Sequence, residues 1–299
     1  MNIREQLSGT GVAIITPFKK NNEVDFTALG KLIDFIINNG VNYIVTLGTT
    51  GETPVLSSQE RIDLIQYTYE YVSERVPVVI GAGGNDTNSL IKEIQSFPLD
   101  QAAAVLSASP YYNKPSQEGL FQHYKLIGEA SPKPVILYNV PGRTGRNISV
   151  NTVLRLAHEV ENIAGIKEAS SDMTQCMEIL RDRPENFLVV SGDDALALPQ
   201  LACGMDGVIS VAANCFPKEF STMVRLCRDA KYSEAKIIND NLIDVYKLLF
   251  EENNPAGAKA FLHEMGYIEN IMRLPVVPLS GLLHMGIKKY LANLSIPHD

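Results

Sequence analysis

Short apolar runs rich in β-branched residues recur along the first two-thirds of the chain. They start near Val12, Tyr43, Pro77, Ala103, Val135, Ile163, Leu188 and Gly207, at intervals of 19 to 34 residues. That spacing is close to the length of a strand–helix–strand unit. Between the runs, apolar residues return at helical spacing. Phe26, Leu29, Ile33, Ile36 and Ile37 form one face, opened by Asp25 and stopped by Gly40. Ser57-Ser58-Gln59-Glu60 has the form of a capping box and leads into Ile62, Ile65, Tyr69 and Val72. Eight strands alternating with helices predict an α/β chain. Because the runs are apolar on both faces, a closed (β/α)8 TIM barrel is favoured over an open sheet. After about Phe216 the rhythm changes. Met223, Leu226 and Cys227 begin a helical stretch, Ala235 to Phe250 reads as a long helix, Pro255 restarts the chain, and Gly281 to Leu294 is again helical. The expected division is a catalytic barrel, residues 1–225, and a C-terminal helical appendage, residues 226–299.

Composition narrows the function classes. With 45% hydrophobic and 20% charged residues, the 299-residue chain is an ordinary globular protein. A net charge of −8 and no basic block argue against a nucleic-acid partner. Cys176, Cys203, Cys215 and Cys227 are widely spaced with no C-x-x-C pair, so neither a disulfide framework nor a zinc site is expected. His123, His158, His263, His284 and His298 show no ligand spacing, and no metal or cofactor is expected. No apolar run reaches the roughly 18 residues of a membrane span. The charged N-terminus lacks the apolar core of a signal peptide. A cytoplasmic protein is the expectation.

Candidate chemistry gathers at the carboxyl ends of predicted strands. Lys167 follows Ile163-Ala164-Gly165-Ile166, and Tyr138 follows Pro134-Val135-Ile136-Leu137. A lysine amine is a nucleophile towards carbonyls once neutral, and burial at the end of an apolar strand lowers its pKa towards about 7–8. Taken alone, Lys167 reads more readily as a strand-end lysine in solvent or paired with Glu168, since perturbed lysines are uncommon. Tyr138 suits a proton shuttle to a carbonyl oxygen, or a core tyrosine bonded at its tip. Arg143, in the stiff loop Asn139-Val140-Pro141-Gly142-Arg143-Thr144-Gly145, offers a guanidinium fork for a carboxylate, or a surface ion pair. In Gly48-Thr49-Thr50-Gly51-Glu52 two glycines flank two hydroxyls, so backbone N–H groups can converge on an anion; a capped turn is the plainer alternative. Gly81-Ala82-Gly83-Gly84-Asn85 lacks G-x-G-x-x-G spacing and reads as a turn. Asp193 and Asp194 read as helix caps. Of Tyr111 and Tyr112, adjacent after the fourth strand, one can face the site and the other an interface.

Taken together, these segments resemble the dihydrodipicolinate synthase family of the pyruvate-dependent class I aldolase superfamily. The likeness runs almost end to end. It is carried by Gly11-Val12-Ala13-Ile14-Ile15-Thr16-Pro17-Phe18, Gly48-Thr49-Thr50-Gly51-Glu52, Ser109-Pro110-Tyr111-Tyr112-Asn113, Tyr138-Asn139-Val140-Pro141-Gly142-Arg143-Thr144, Gly165-Ile166-Lys167-Glu168, Ser191-Gly192-Asp193-Asp194 and Gly207-Val208-Ile209-Ser210. The resemblance implies that Lys167 forms an imine with pyruvate. It implies that Tyr138, Thr49 and Tyr112 relay protons, with Tyr112 supplied by a neighbouring subunit. Arg143 would bind the carboxylate of aspartate 4-semialdehyde, while Thr50, Gly192 and Ile209 hold the pyruvate part. The implied product is 4-hydroxy-tetrahydrodipicolinate, on the way to diaminopimelate and lysine, and the implied assembly is a homotetramer built as a dimer of dimers.

Two rival readings share much of this set. A lyase of N-acetylneuraminate or 2-keto-3-deoxy sugar acids would keep Lys167, Tyr138 and the Gly-Thr loop. Arg143 argues for the synthase, because a carboxylated aldehyde calls for a guanidinium and a neutral polyol does not. A silent keto-acid-binding barrel would not need the lysine, both tyrosines and both threonines. Two departures stand out. Ser89 replaces a glutamate, and Ser58 and Arg61 replace histidines, at positions used by lysine-inhibited relatives, so weak or absent lysine feedback is expected. Asn254-Pro255-Ala256-Gly257-Ala258-Lys259 departs from the more usual Asn-Pro-Ile-Pro, with no function assigned to it.

Overall fold

A computed structural model describes residues 2–294. Eight parallel strands close into a barrel in sequence order: β1 (Gly9–Ala13), β2 (Tyr43–Thr46), β3 (Val78–Gly83), β4 (Ala104–Ala108), β5 (Val135–Asn139), β6 (Ile163–Glu168), β7 (Leu188–Ser191) and β8 (Gly207–Ser210). β1 pairs with β8 from Gly9↔Gly207 onward. The strand thus begins three residues before the apolar signal at Val12. Side chains alternate between two buried layers. Ala13, Tyr43, Val45, Val79, Leu106, Ile136, Tyr138, Val190 and Ile209 fill the barrel interior, while Val12, Ile44, Val105, Leu137, Val189 and Val208 face the helices.

The helix signals materialise with their caps. In Phe26–Asn38 the Asp25 side chain accepts from the Ala28 N–H at 3.0 Å. In Ser58–Val72 the capping box closes in both directions, Glu60 N–H to Ser57 Oγ at 3.2 Å and Ser57 N–H to Glu60 Oε2 at 2.8 Å. Gly81 and Gly83 lie within β3 rather than in a turn. A Cβ on Gly81 would stand 2.2 Å from the Leu47 carbonyl oxygen, so that position needs glycine for close approach of two strands.

One irregularity decides what the site contains. β6 pairs with β5 as Val135↔Ile163 and then Ile136↔Gly165, leaving Ala164 as an extra residue. Ile163 belongs to the outer layer. Strict alternation from Ile163 would therefore turn Lys167 outward as well. The bulge resets the phase, and Lys167 lies beside the inward-facing Tyr138 while Glu168 lies beside Asn139.

The helices Pro217–Arg228, Tyr232–Phe250, Ala256–Glu264 and Gly281–Leu294 follow the barrel. Ala256 to Leu262 is buried on every side, Lys259 included. Such a helix sits inside the hydrophobic core rather than on its surface.

Candidate active site

Every candidate residue stands at or beyond a strand's carboxyl end, the face where barrels carry their chemistry. Lys167, on β6, is 4% exposed, and its Nζ lies 4.3 Å from the centre of the Tyr138 ring. Gly192, just after β7, packs on the same amine's stem. A Cβ there would fall 2.9 Å from Lys167 Cε and 2.8 Å from the Ala169 Cβ. Glycine leaves room for the lysine side chain, and for a small adduct on its nitrogen. Ile209, on β8, is buried in the interior cluster that holds Tyr138.

Thr49 and Thr50 form a single 3-10 turn, Thr49–Gly51, after β2. The first internal bonds of the turn run from Gly51 N–H to Gly48 O (3.0 Å) and from Glu52 N–H to Thr49 O (3.1 Å). The N–H groups of Thr49 and Thr50 therefore have no partner inside the turn, and such orphan donors suit an anion. Two non-glycine residues in the left-handed region bracket the segment, Leu47 at φ 57° and Glu52 at φ 55°. Strain of this kind costs on the order of 1–3 kcal/mol per residue and persists only where the surroundings hold it.

Arg143 occupies the short helix Pro141–Thr144 after β5 and is exposed. The loop under it is fixed from below. Asn139 Oδ1 accepts from the Ile148 N–H (3.0 Å), and Asn139 Nδ2 donates to Asn147 Oδ1 (2.7 Å) and to the buried Glu168 carboxylate (2.9 Å). Gln175 Nε2 and the Ser170 N–H donate to the same carboxylate at 2.9 and 2.7 Å. Glu168 thereby ties the loop bearing Arg143 to the strand bearing Lys167.

Tyr112 is 89% exposed with φ 71°, and Tyr111 is 47% exposed. The fold brings Lys167, Tyr138, Gly192 and Ile209 together in the barrel interior, and the threonine turn follows the carboxyl end of β2. Tyr112 and Arg143 stand out at the rim instead.

Residues unmarked by the motif reading also serve the site. Asp193 Oδ1 accepts from the Ala195 and Leu196 N–H groups at 3.1 and 3.3 Å, which holds the turn before the helix Ala197–Ala202; the expected helix cap is not formed, since the N-cap is Leu196 and no side chain bonds it. Asp194 does something else. It is fully buried and accepts from the Val211 and Ala212 N–H groups at 3.0 and 2.8 Å, clamping the chain just after Ile209. Burial raises its pKa to about 6, against the pull of those hydrogen bonds. Lys259 is 0% exposed and paired with Glu52 beneath the threonine turn. A lone charge inside Ala256-Gly257-Ala258-Lys259-Ala260-Phe261-Leu262 was its sequence signal, since charged residues are buried only when paired.

Among the described residues no cluster of three or more His, Cys, Asp or Glu could hold a metal ion. No described helix is long and apolar enough to cross a membrane. The chemistry on offer is a buried amine against a tyrosine ring, a turn of hydroxyls and N–H groups after β2, and an exposed guanidinium after β5.

Residues 6–293 match the model of the dihydrodipicolinate synthetase family. A 4-hydroxy-tetrahydrodipicolinate synthase of Parabacteroides distasonis is 47% identical over 290 residues, covering 97% of this chain and 98% of its own. The fold is similar to the chloride-inhibited dihydrodipicolinate synthase of Acinetobacter baumannii complexed with pyruvate. The TM-score is 0.93 at 40% identity, over 97% of this chain and 100% of that one. A monomeric dihydrodipicolinate synthase variant superposes with a TM-score of 0.94 at 39% identity, over 97% and 98% of the two chains.

Proposed function

Because the chain belongs to the dihydrodipicolinate synthetase family, we propose that Lys167 is the amine through which it condenses pyruvate with L-aspartate 4-semialdehyde. The activity is that of a lyase forming 4-hydroxy-tetrahydrodipicolinate, a step of diaminopimelate and lysine biosynthesis. The observation that carries the residue assignment is the placement of Lys167. Its nitrogen is enclosed by the barrel, 4.3 Å from the Tyr138 ring centre, with Gly192 packed against its stem.

The steps follow from the groups present. The neutral amine of Lys167 adds to the pyruvate ketone, and the carbinolamine loses water as Tyr138 delivers a proton to the departing hydroxyl. Thr49 passes protons between Tyr138 and the rim, where Tyr112 of a second copy completes the relay. The pyruvate carboxylate rests on Thr50 and the unpaired N–H groups of the turn, with Gly192 and Ile209 as walls. The protonated imine makes the methyl hydrogens acidic, and loss of one gives the enamine. Its carbon attacks the aldehyde of aspartate semialdehyde, whose carboxylate Arg143 receives. The exposed Tyr112 fits a homotetramer made of dimers, and the cytoplasm is the compartment we assign.

Borohydride added with pyruvate tests the assignment. Lys167 should gain, irreversibly, the mass of pyruvate less one oxygen atom, and an intact protein lacking that adduct would falsify the route. Arg143→Ala should leave trapping intact while lowering kcat/KM for aspartate semialdehyde about 10- to 100-fold, the loss of a charged hydrogen bond worth about 1.5–3 kcal/mol.

A further inference from the structure

The segment Asn254–Lys259, where the chain departs from Asn-Pro-Ile-Pro, meets the threonine turn at two points. Asn254 Nδ2 donates to Thr50 Oγ1 at 3.0 Å, with both residues buried. By accepting there, Thr50 keeps its own hydroxyl hydrogen free to donate elsewhere. Five residues on, the Lys259 ammonium pairs with the carboxylate of Glu52. Glu52 is the left-handed residue that ends the turn.

Lys259 is held on its other sides too. Nζ donates to the Ile271 carbonyl at 2.9 Å and lies 4.2 Å from the centre of the fully buried Phe18 ring. The Arg273 N–H donates to Glu52 Oε2 at 3.2 Å, and the Arg273 guanidinium stands 4.4 Å from the Phe18 ring centre. Glu52 is thus gripped by Lys259 and Arg273 from beyond the barrel, the latter 221 residues away in sequence. The turn also takes a bond from Thr16 Oγ1, after β1, to Gly51 O (2.7 Å), and a local one from Thr53 Oγ1, in the following turn, to Gly48 O (3.0 Å). A strained turn stays in one geometry when its surroundings over-determine it.

We propose that Asn254–Lys259 is a positioning element for the reaction, in which Lys259 acting through Glu52, and Asn254 acting through Thr50, hold the threonine turn in its working geometry. On this view the C-terminal helices are part of the catalytic unit. Lys259 is a positioning residue and touches no substrate. The proposal rests on the reading that Thr49 and Thr50 serve pyruvate and its protons.

The test is the paired substitution Lys259→Met with Glu52→Gln in the full-length protein, read at a temperature well below the melting point. Replacing both partners by neutral groups of similar shape avoids leaving one buried charge alone. Displacing a catalytic turn by a fraction of an ångström to one ångström costs about tenfold to a hundredfold in rate. The double variant should therefore be folded, with kcat and the rate of borohydride-trapped adduct at saturating pyruvate both reduced by about that factor. KM for aspartate semialdehyde should change less than about threefold. A folded double variant with wild-type kcat and trapping rate, even at a lower melting temperature, overturns the proposal by showing a purely structural pair. If the double variant does not fold, Asn254→Ala carries the test. The same loss of kcat supports the proposal, and wild-type kcat sinks it. Wild-type protein that traps no pyruvate on Lys167 removes the underlying reading instead, and the proposal falls with it.

Discussion

Replacing Glu168 by glutamine probes the clamp between the two strands that carry Lys167 and Tyr138. Glu168 is 0% exposed, and both its oxygens accept hydrogen bonds. Oε1 takes the Ser170 N–H at 2.7 Å and Asn139 Nδ2 at 3.1 Å, while Oε2 takes Asn139 Nδ2 and Gln175 Nε2 at 2.9 Å each. An amide in that place must turn its NH₂ towards one of these donors, whichever way it is flipped. The change loses one charge-assisted hydrogen bond and leaves a buried donor facing another, at a cost of about 2–4 kcal/mol. For a chain of this length, about 2 °C per kcal/mol gives a fall in Tm of about 4–8 °C. Calorimetry at neutral pH measures it, beside kcat at 25 °C. Since Asn139 leads into the Arg143 loop, kcat should fall severalfold as well. A Tm within 1 °C of wild type would refute the reasoning, because the donors would then have found other partners without loss.

Three further outcomes follow. Gly192→Ala puts a methyl 2.9 Å from Lys167 Cε and 2.8 Å from the Ala169 Cβ; the lysine end can swing aside but the Ala169 Cβ moves only with its backbone, so kcat/KM for pyruvate should fall at least about tenfold and Tm should fall with it. Wild-type kcat/KM would show that the amine has more freedom than its packing allows. Burial lowers the pKa of His123 from 6.5 to about 4, so the unfolded chain takes up a proton before the folded one. Stability from this group is complete above about pH 6.5 and is lost as pH falls towards 4, by up to about 3 kcal/mol. His123→Gln should therefore lose less Tm between pH 6.5 and 4.5 than wild type does, and an equal loss counts against the assignment. Lysine at sub-millimolar concentration should leave the rate unchanged. In the cavity lined by Ser58, Asn85 and Ser89, Asp86 is engaged in capping its helix and Glu93 in pairing with Arg61, and strong inhibition would contradict this.

The barrel was legible because strands buried on both faces leave apolar runs at a regular interval, and because Asp25 and the Ser57–Glu60 box mark helix starts chemically. The starts that slipped have physical causes. β1 begins at Gly9, where glycine gives no apolar signal but pairs with Gly207. Within the site, residue types at strand ends pointed to Lys167, Tyr138 and the Gly-Thr turn. Which way Lys167 faces was not legible, since the inward turn depends on the extra residue at Ala164 and on the pairing partner. Nor were the partners of Glu168, Glu52 and Asp194. Their contacts join residues far apart in the chain, and a carboxylate next to a motif looks the same whether it meets solvent or a buried lysine. Lys259 alone carried a usable hint, as a charge in a helix apolar on every face.

Two of the described lysines are buried, Lys167 and Lys259, and we assign the first as the amine that meets the keto acid. Lys167 lies beside Tyr138 near the carboxyl end of β6, whereas Lys259 is wholly enclosed against Glu52, with its pKa lowered by burial to about 8. Crystals soaked in pyruvate separate them. Continuous electron density from Lys167 Nζ into a three-carbon adduct, its carboxylate on the Thr49–Thr50 N–H groups, is the predicted result. Density joined to Lys259, or pyruvate lying free in a cavity that Lys167 does not reach, would contradict it.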